Sequence, residues 1–213
     1  MSVYQAILKS PLLKYIETKD HALLMEELRT TTRTYDRDDI LIYEGDELNR
    51  FGIVAHGLVR SEKIYRDGER NIIRVFEPGD LFGLDGLTRW KTAARDYVSL
   101  KKCTVIYISW QSVFNSHFNV PLLRAIMEVM QDDAIRQMHK VEILTRKSLR
   151  ERIQLWLEIR KKKAGSNAVE LVMTRQELSE YLCVNRSALS KELNDMQRDC
   201  LIQIDKHKIT ILK

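Results

Sequence analysis

The sequence is poor in the residues that build metal, redox and disulfide chemistry. It holds three cysteines, Cys103, Cys183 and Cys200, odd in number and far apart, with no CxxC pair. That spacing argues against a zinc or dithiol site and fits reduced thiols in a cytoplasmic protein. Five histidines are scattered without HExxH or paired-ligand spacing, so no metal site is expected. No apolar run approaches the roughly 20 residues of a membrane helix. Acidic residues follow close behind the short apolar stretch at the N-terminus, and no small-residue cleavage site follows; a signal peptide is not expected. No nucleophile–base pair or phosphate loop is visible, since "GERN" and "GLDG" are ordinary glycine turns. Enzyme chemistry is therefore not expected.

What is present is a core-forming composition, 44% hydrophobic and 31% charged, typical of a folded globular chain. The formal net charge of +5 is uneven. Residues 145–213 carry 15 Lys/Arg against 9 Asp/Glu, a net +6, while residues 1–144 carry 20 against 21, a net −1. A basic segment on a near-neutral one fits a polyanion partner, although ordinary surface lysines also produce an excess of this size.

Leu12, Ile16, Leu23, Leu24 and Leu28 recur at helical spacing, so residues 3–29 read as helical, with Pro11 near a helix start. From Tyr35 to Ser109 short β-branched and aromatic runs alternate with the turn signals Gly45, Gly57, Gly68 and Pro78-Gly79. This pattern predicts a small antiparallel barrel or jelly roll. "YRDGER" predicts a hairpin turn, and Ser109 is placed to cap a short helix over "WQSVFNSHF".

The next segment, from Val120 to Thr145, contains no glycine, and its one proline, Pro121, falls in the first turn. Leu123, Met130, Gln137 and Leu144 at position a, with Met127, Ala134 and Val141 at position d, make a 4-3 seam over three heptads. The spacing predicts a dimerisation helix; packing on its own domain is the alternative. Ser148-Leu-Arg-Glu151 is a capping box that opens a helix over Leu149–Lys163, with Ile153, Leu155, Trp156 and Ile159 as core candidates. The cationic run Arg160–Lys163 complements the dipole at that helix's end. "VELVM" reads as a strand. The domain boundary is placed at Thr145–Ser148.

The stretch "TRQELSEYLCVNRSALSKEL" carries the functional signal. Thr174-Arg-Gln-Glu177 is a second capping box, and its helix turns Leu178, Tyr181 and Leu182 inward. Cys183-Val184-Asn185 is the turn, with Asn185 as N-cap, and Cys183 reads as a small buried hydrophobe. In the following helix Ala188, Leu189, Leu193 and Met196 are expected inside, and Arg186, Ser187, Ser190, Lys191 and Asn194 outside. Two short helices joined by a three-residue turn are a helix-turn-helix. Two strands flank Asp205–Lys208, a wing whose cationic tip, Lys206 and Lys208, suits phosphate. An arginine at the start of a helix in the major groove can grip guanine bidentately.

These segments together resemble the Crp/Fnr family of bacterial transcription regulators over about Tyr4–Leu212. The resemblance rests on "YEGDELNRFGIVAHGLVRSEKIYRDGERNIIRVFEPGDLFGLDGL" and, more specifically, on "TRQELSEYLCVNRSALSKELNDMQRDCLI". It implies an α+β chain in three parts. Residues 1–118 would be an antiparallel, jelly-roll-like β-roll with N-terminal helices, 119–145 a dimerisation helix, and 146–213 a winged helix-turn-helix domain. It implies that Arg186, Ser187, Ser190 and Lys191 read bases and that Arg175 and Gln176 touch the DNA backbone. The partners implied are double-stranded DNA, a second copy of the chain and, for an activator, RNA polymerase, with no membrane.

Cyclic-AMP binders of the family use an Arg-Ser pair on the phosphate and a glutamate on the ribose. Anchored on Cys103, this chain puts Ala93 and Ala94 at the pair and Leu84 at the glutamate, with Asp85 and Arg95 each one residue away. Without a guanidinium clamp, tight cyclic-AMP binding is not expected. With no cysteine before Cys103, the iron–sulfur sensor of the oxygen-responsive branch is not expected, and no haem ligand stands out. The pocket for any other effector would draw on Leu84, Asp85, Arg95, Tyr97, Gln137 and Met138. A regulator that is competent without an effector is the open alternative. A second reading makes the chain a ligand-sensing regulatory subunit whose C-terminal domain docks a protein.

Overall fold

The computed structural model describes residues 3–212. The chain divides into two compact units, residues 1–133 and 134–213. In the first, the residues read as helical form α1 (Val3–Lys9), two single 3-10 turns at Pro11–Leu13 and Thr18–Asp20, and α2 (His21–Leu28), with Pro11 opening the first 3-10 turn. The residue before a proline is disfavoured in the helical region. Ser10 is accordingly extended at ψ 159, and its hydroxyl accepts from the Leu12 amide.

The sheet that follows contains β1 (Thr31–Tyr35), β2 (Ile40–Ile42), β3 (Arg50–Ile64), β4 (Arg70–Phe76), β5 (Leu81–Phe82) and β6 (Asp96–Ser109). Its order is β1-β6-β3-β4, with β2 also on β6 and β5 also on β3, and every pairing is antiparallel. Two long strands therefore form the axis of the roll, and short strands complete its ends. This corrects the reading of Gly57 as a turn, because β3 runs straight through it. Gly57 has φ 78, and a Cβ there would stand 2.1 Å from the Lys102 carbonyl oxygen. The β3–β6 register shifts on both sides of this point, so the glycine makes a bulge with close backbone approach. The hairpin at Gly68 is a turn as expected, with φ 83.

Two apolar clusters fill the first unit. One joins Ile7, Leu12, Leu24 and Leu28 to Phe51, Ile53, Ile106, Trp110, Leu122 and Ile126. The other lies inside the roll around Val54, Phe76, Phe82, Tyr97, Cys103, Val105 and Tyr107. Arg60 is fully buried, bonded to the equally buried Glu62 at 2.5 Å and to Asp38 at 2.9 Å. Removing one partner of such a pair leaves a buried charge uncompensated, which is far costlier than losing the pair as a whole.

After β6, Ser109 caps α3 (Trp110–Asn115), and α4 spans Asn119–Leu144. The second unit then contains α5 (Leu149–Ala164), β7 (Ala168–Glu170), α6 (Arg175–Leu182), α7 (Arg186–Arg198), β8 (Ile202–Asp205) and β9 (Lys208–Ile211), with sheet order β7-β9-β8. Both predicted capping boxes are formed, at Ser148/Glu151 and Thr174/Glu177. Each satisfies two otherwise orphaned amides reciprocally. The strand expected over "VELVM" stops at Glu170, after which the Leu171 amide bonds the His207 carbonyl at 2.6 Å.

Candidate nucleic-acid interface

The helix-turn-helix is built from α6, a turn and α7. Leu178 and Leu182 of α6 and Leu189, Leu193 and Met196 of α7 are buried. Tyr181, expected inside, is only half-buried, and the Lys140 ammonium lies 4.6 Å from its ring centroid. With about 100° per residue, the buried side chains of α7 cluster at about 280–340° from Arg186. Arg186, Ser187, Ser190 and Lys191 span about 0–140° on the same scale. Arg186, Ser187 and Lys191 are exposed and Ser190 is half-buried. No ion pair among the described residues engages Arg186 or Lys191. Ala188 is exposed, against expectation. At about 200° it lies beyond the arc that the three apolar residues bury.

The turn itself departs from the sequence reading. Cys183 is left-handed at φ 54, ψ 53, and closes α6 through its amide to the Ser179 carbonyl. Its side chain is exposed, so it is not the small buried hydrophobe expected. The left-handed C-cap turns the thiol outward, and the next residue, Val184, is the partly covered one. Asn185 holds the N-cap position of α7 at φ −67, ψ 138, but its side chain makes no capping bond.

The acidic residues at the C-terminal half of α7 are paired, Glu192 and the C-cap Asp199 with Arg150 and Asp195 with Arg198. Arg150 of α5 donates from Nε to Glu192 at 2.6 Å and from Nη1 to Asp199 at 2.7 Å. The Glu192 bond, then the Asp199 bond, raise its pKa above the usual arginine value. One guanidinium thus ties α5 to Glu192 of α7 and to its C-cap residue Asp199. Arg175 opens α6 with its Nη1 buried and without a hydrogen-bond partner, and desolvation lowers its pKa. Gln176 is exposed and donates to Glu180 at 2.9 Å. At the wing, β8 and β9 are joined through Lys206, at φ 48, and His207; Lys206 and Lys208 are both exposed.

In α4, Leu122, Ala125, Ile126 and Val129 are buried, whereas Met127, Met130, Ala134, Gln137 and Val141 of the predicted seam are exposed. Its end positions, Leu123 and Leu144, are half-buried.

Of the six residues named for an effector pocket, the first unit brings three together. Asp85 Oδ2 accepts from the Ala94 amide at 3.1 Å and from the Tyr97 hydroxyl at 3.2 Å, and Arg95 Nη2 stands 4.0 Å from Oδ1. Burial, then the Asp85 charge, pushes the Tyr97 pKa well above the usual tyrosine value. Leu84 packs instead against the N-terminal apolar cluster. Gln137 and Met138 belong to the second unit, where both are exposed.

Three positioning residues had no sequence signal: Arg150, Lys140 and Arg74. Arg74 bonds Asp133 at 2.6 Å and lies over the Phe76 ring. Each meets its partner across 41 or more residues, beyond any local pattern.

Comparisons with known proteins match both halves. Residues 32–116 match the cyclic nucleotide-binding domain, and residues 151–213 the Crp-like helix-turn-helix domain. An anaerobic regulatory protein of Haemophilus influenzae is 25% identical over 181 residues, covering 82% of this chain and 70% of its own. Among solved structures, FixK2 from Bradyrhizobium japonicum aligns with a TM-score of 0.75 at 21% identity, over 87% of this chain and 94% of its own. A CooA mutant from Carboxydothermus hydrogenoformans aligns at 0.79 and 18%, over 96% and 92%. At those identities the two structures establish the fold.

Proposed function

This chain belongs to the Crp/Fnr family of transcription regulators, and on that premise we propose that it acts in the cytoplasm as a homodimer on an inverted-repeat promoter site. The observation that carries the proposal is the two-sided α7: an apolar edge locked into the domain and an exposed Arg186/Ser187/Ser190/Lys191 edge. Arg186 and Asn185 at the start of α7 reach base edges, with the two serines and Lys191 beside them. Arg175, Gln176, Lys206 and Lys208 hold phosphates on either side.

In this reading residues 146–213 bind DNA, 119–145 pair with a second chain and 1–118 regulate. The seam Leu123, Met127, Met130, Ala134, Gln137, Val141 and Leu144 is the dimer contact. Two-fold pairing places the recognition helices about 34 Å apart, one turn of duplex. Activation would add RNA polymerase as a partner. Cyclic AMP is not the effector, since alanines stand at the phosphate clamp; no iron–sulfur cluster is assigned.

Selection of bound sequences from a random DNA pool, with and without a cell metabolite extract, tests this directly. An enriched inverted repeat is expected, and dependence on the extract would reveal an effector. A pool with no enriched sequence at moderate salt would overturn it. Met127→Glu with Val141→Glu is expected to give a monomer in sedimentation, and an unaltered dimer would remove the seam.

A further inference from the structure

The surroundings of Asp85 are those of a bound anion. It lies in the 3-10 turn Leu84–Leu87 between β5 and β6, with 20% of its side chain exposed. Two oxyanion donors, a backbone amide (Ala94) and a phenol (Tyr97), bond its carboxylate, and a guanidinium (Arg95) pairs with it at 4.0 Å. All three come from residues 94–97, where the chain enters β6. Tyr97 is held in place by the rings of Phe82 and Phe76, at 5.3 and 5.9 Å between centroids. Its hydroxyl keeps its proton and acts as a donor. Arg95 is 17% exposed, and its nearest acidic oxygen, that of Asp85, is 4.0 Å away.

We propose that this donor set is an anion subsite of the β-roll and that the chain fills it with its own Asp85 carboxylate, an internal ligand that holds residues 94–97 without an external anion. The inference rests on the reading of the roll as the regulatory part. An incoming phosphate or carboxylate would need the same amide and hydroxyl, and would meet a like charge within hydrogen-bonding range of them. This subsite is therefore closed to anionic effectors. Any effector it takes is uncharged or cationic, and without one the roll keeps its ordered entry to β6.

Chemical rescue tests this. Asp85→Ala opens the subsite, and its thermal midpoint is expected to fall and then recover saturably in sodium acetate, beyond the effect of equimolar sodium chloride. Wild type should gain from acetate no more than from chloride. Equal response of the variant to both salts would overturn the proposal, as would wild type gaining as much from acetate as the variant does. Should Asp85→Ala not fold, wild type alone decides. Calorimetric titration with inorganic phosphate or cyclic AMP should show no saturable binding. Saturable binding that Arg95→Gln abolishes would refute the internal ligand. Neither readout involves DNA. Failure of wild type to select a DNA sequence would sink the regulatory reading and leave this measurement standing.

Discussion

Arg186 and Lys206 give the sharpest test of how the second unit meets DNA, because the same truncation at each site should fail differently. Arg186 is the first residue of α7, exposed and outside every ion pair described, while Glu192 pairs with Arg150 and Asp195 with Arg198. A bidentate contact to guanine is worth about 1–3 kcal/mol of discrimination. Arg186→Ala should therefore weaken binding to the preferred site about 5- to 150-fold and flatten preference at one base pair of each half-site. Its effect on nonspecific DNA should be small, and the slope of log K against log salt should hardly move.

Lys206 lies in the β8–β9 turn at φ 48, exposed. If it meets only phosphate, Lys206→Ala releases one fewer counterion per subunit. The salt slope should then drop by about 0.9 per subunit, or about 1.8 for a dimer. Specific and nonspecific duplexes should weaken in the same proportion. Fluorescence anisotropy on both duplexes across 50–300 mM salt reads all these quantities. If Arg186→Ala weakens both duplexes alike and lowers the slope, Arg186 is a phosphate contact and α7 is not docked as proposed.

Two further outcomes follow from burial and bonding in the native chain. Cys103 is buried, and desolvation raises its thiol pKa, whereas Cys183 and Cys200 are exposed. Brief alkylation of native protein should therefore label Cys183 and Cys200 but spare Cys103 until denaturant is added; equally fast labelling of Cys103 in intact-mass analysis would refute its burial. Glu128 accepts from Lys14 Nζ at 2.7 Å and from the Tyr15 hydroxyl, and those bonds, Lys14's first, hold its pKa below the ordinary 4.5. A depressed carboxylate pKa adds stability that is complete above the unfolded value and is lost as pH falls through the folded one. Melting temperature should decline below about pH 4.5 more steeply in wild type than in Glu128→Gln, and identical pH profiles would refute the contribution.

The parts of this fold legible in the sequence are those with local physical causes. The capping boxes at Ser148 and Thr174 gave two helix starts to the residue, because side chain and amide lie three positions apart. The period of α7 placed Leu189, Leu193 and Met196 inside and the basic edge outside. Gly57 misled, because positive φ marks a turn or a bulge equally well. Only the backbone of Lys102, 45 residues on, makes it a bulge. The second unit hides its turns in the opposite way. Gly165 is its one glycine, yet Cys183, Cys200 and Lys206 all take positive φ. Their penalty, about 1–2 kcal/mol each, is carried by the helices and strands they join, and no residue type announces them. For Cys183, exposure removes the offset that burial of the thiol would have supplied.

The effector region shows the same limit at the level of chemistry. Asp85 and Arg95 lie ten residues apart, and in the sequence alone they read as a misplaced clamp, one residue out of register. In the fold, Asp85 accepts from the Ala94 amide and the Tyr97 hydroxyl, with the Arg95 guanidinium 4.0 Å away. Once an internal anion occupies the donors, a guanidinium aimed at an external phosphate has no function there. Arg95, one position along, neutralises the resident charge instead. On this account the roll and α7 use opposite electrostatic solutions. The first unit would satisfy its anion-binding groups internally, while the second pairs Glu192 and Asp199 with Arg150 and leaves Arg186 and Lys191 to the polyanion proposed for them.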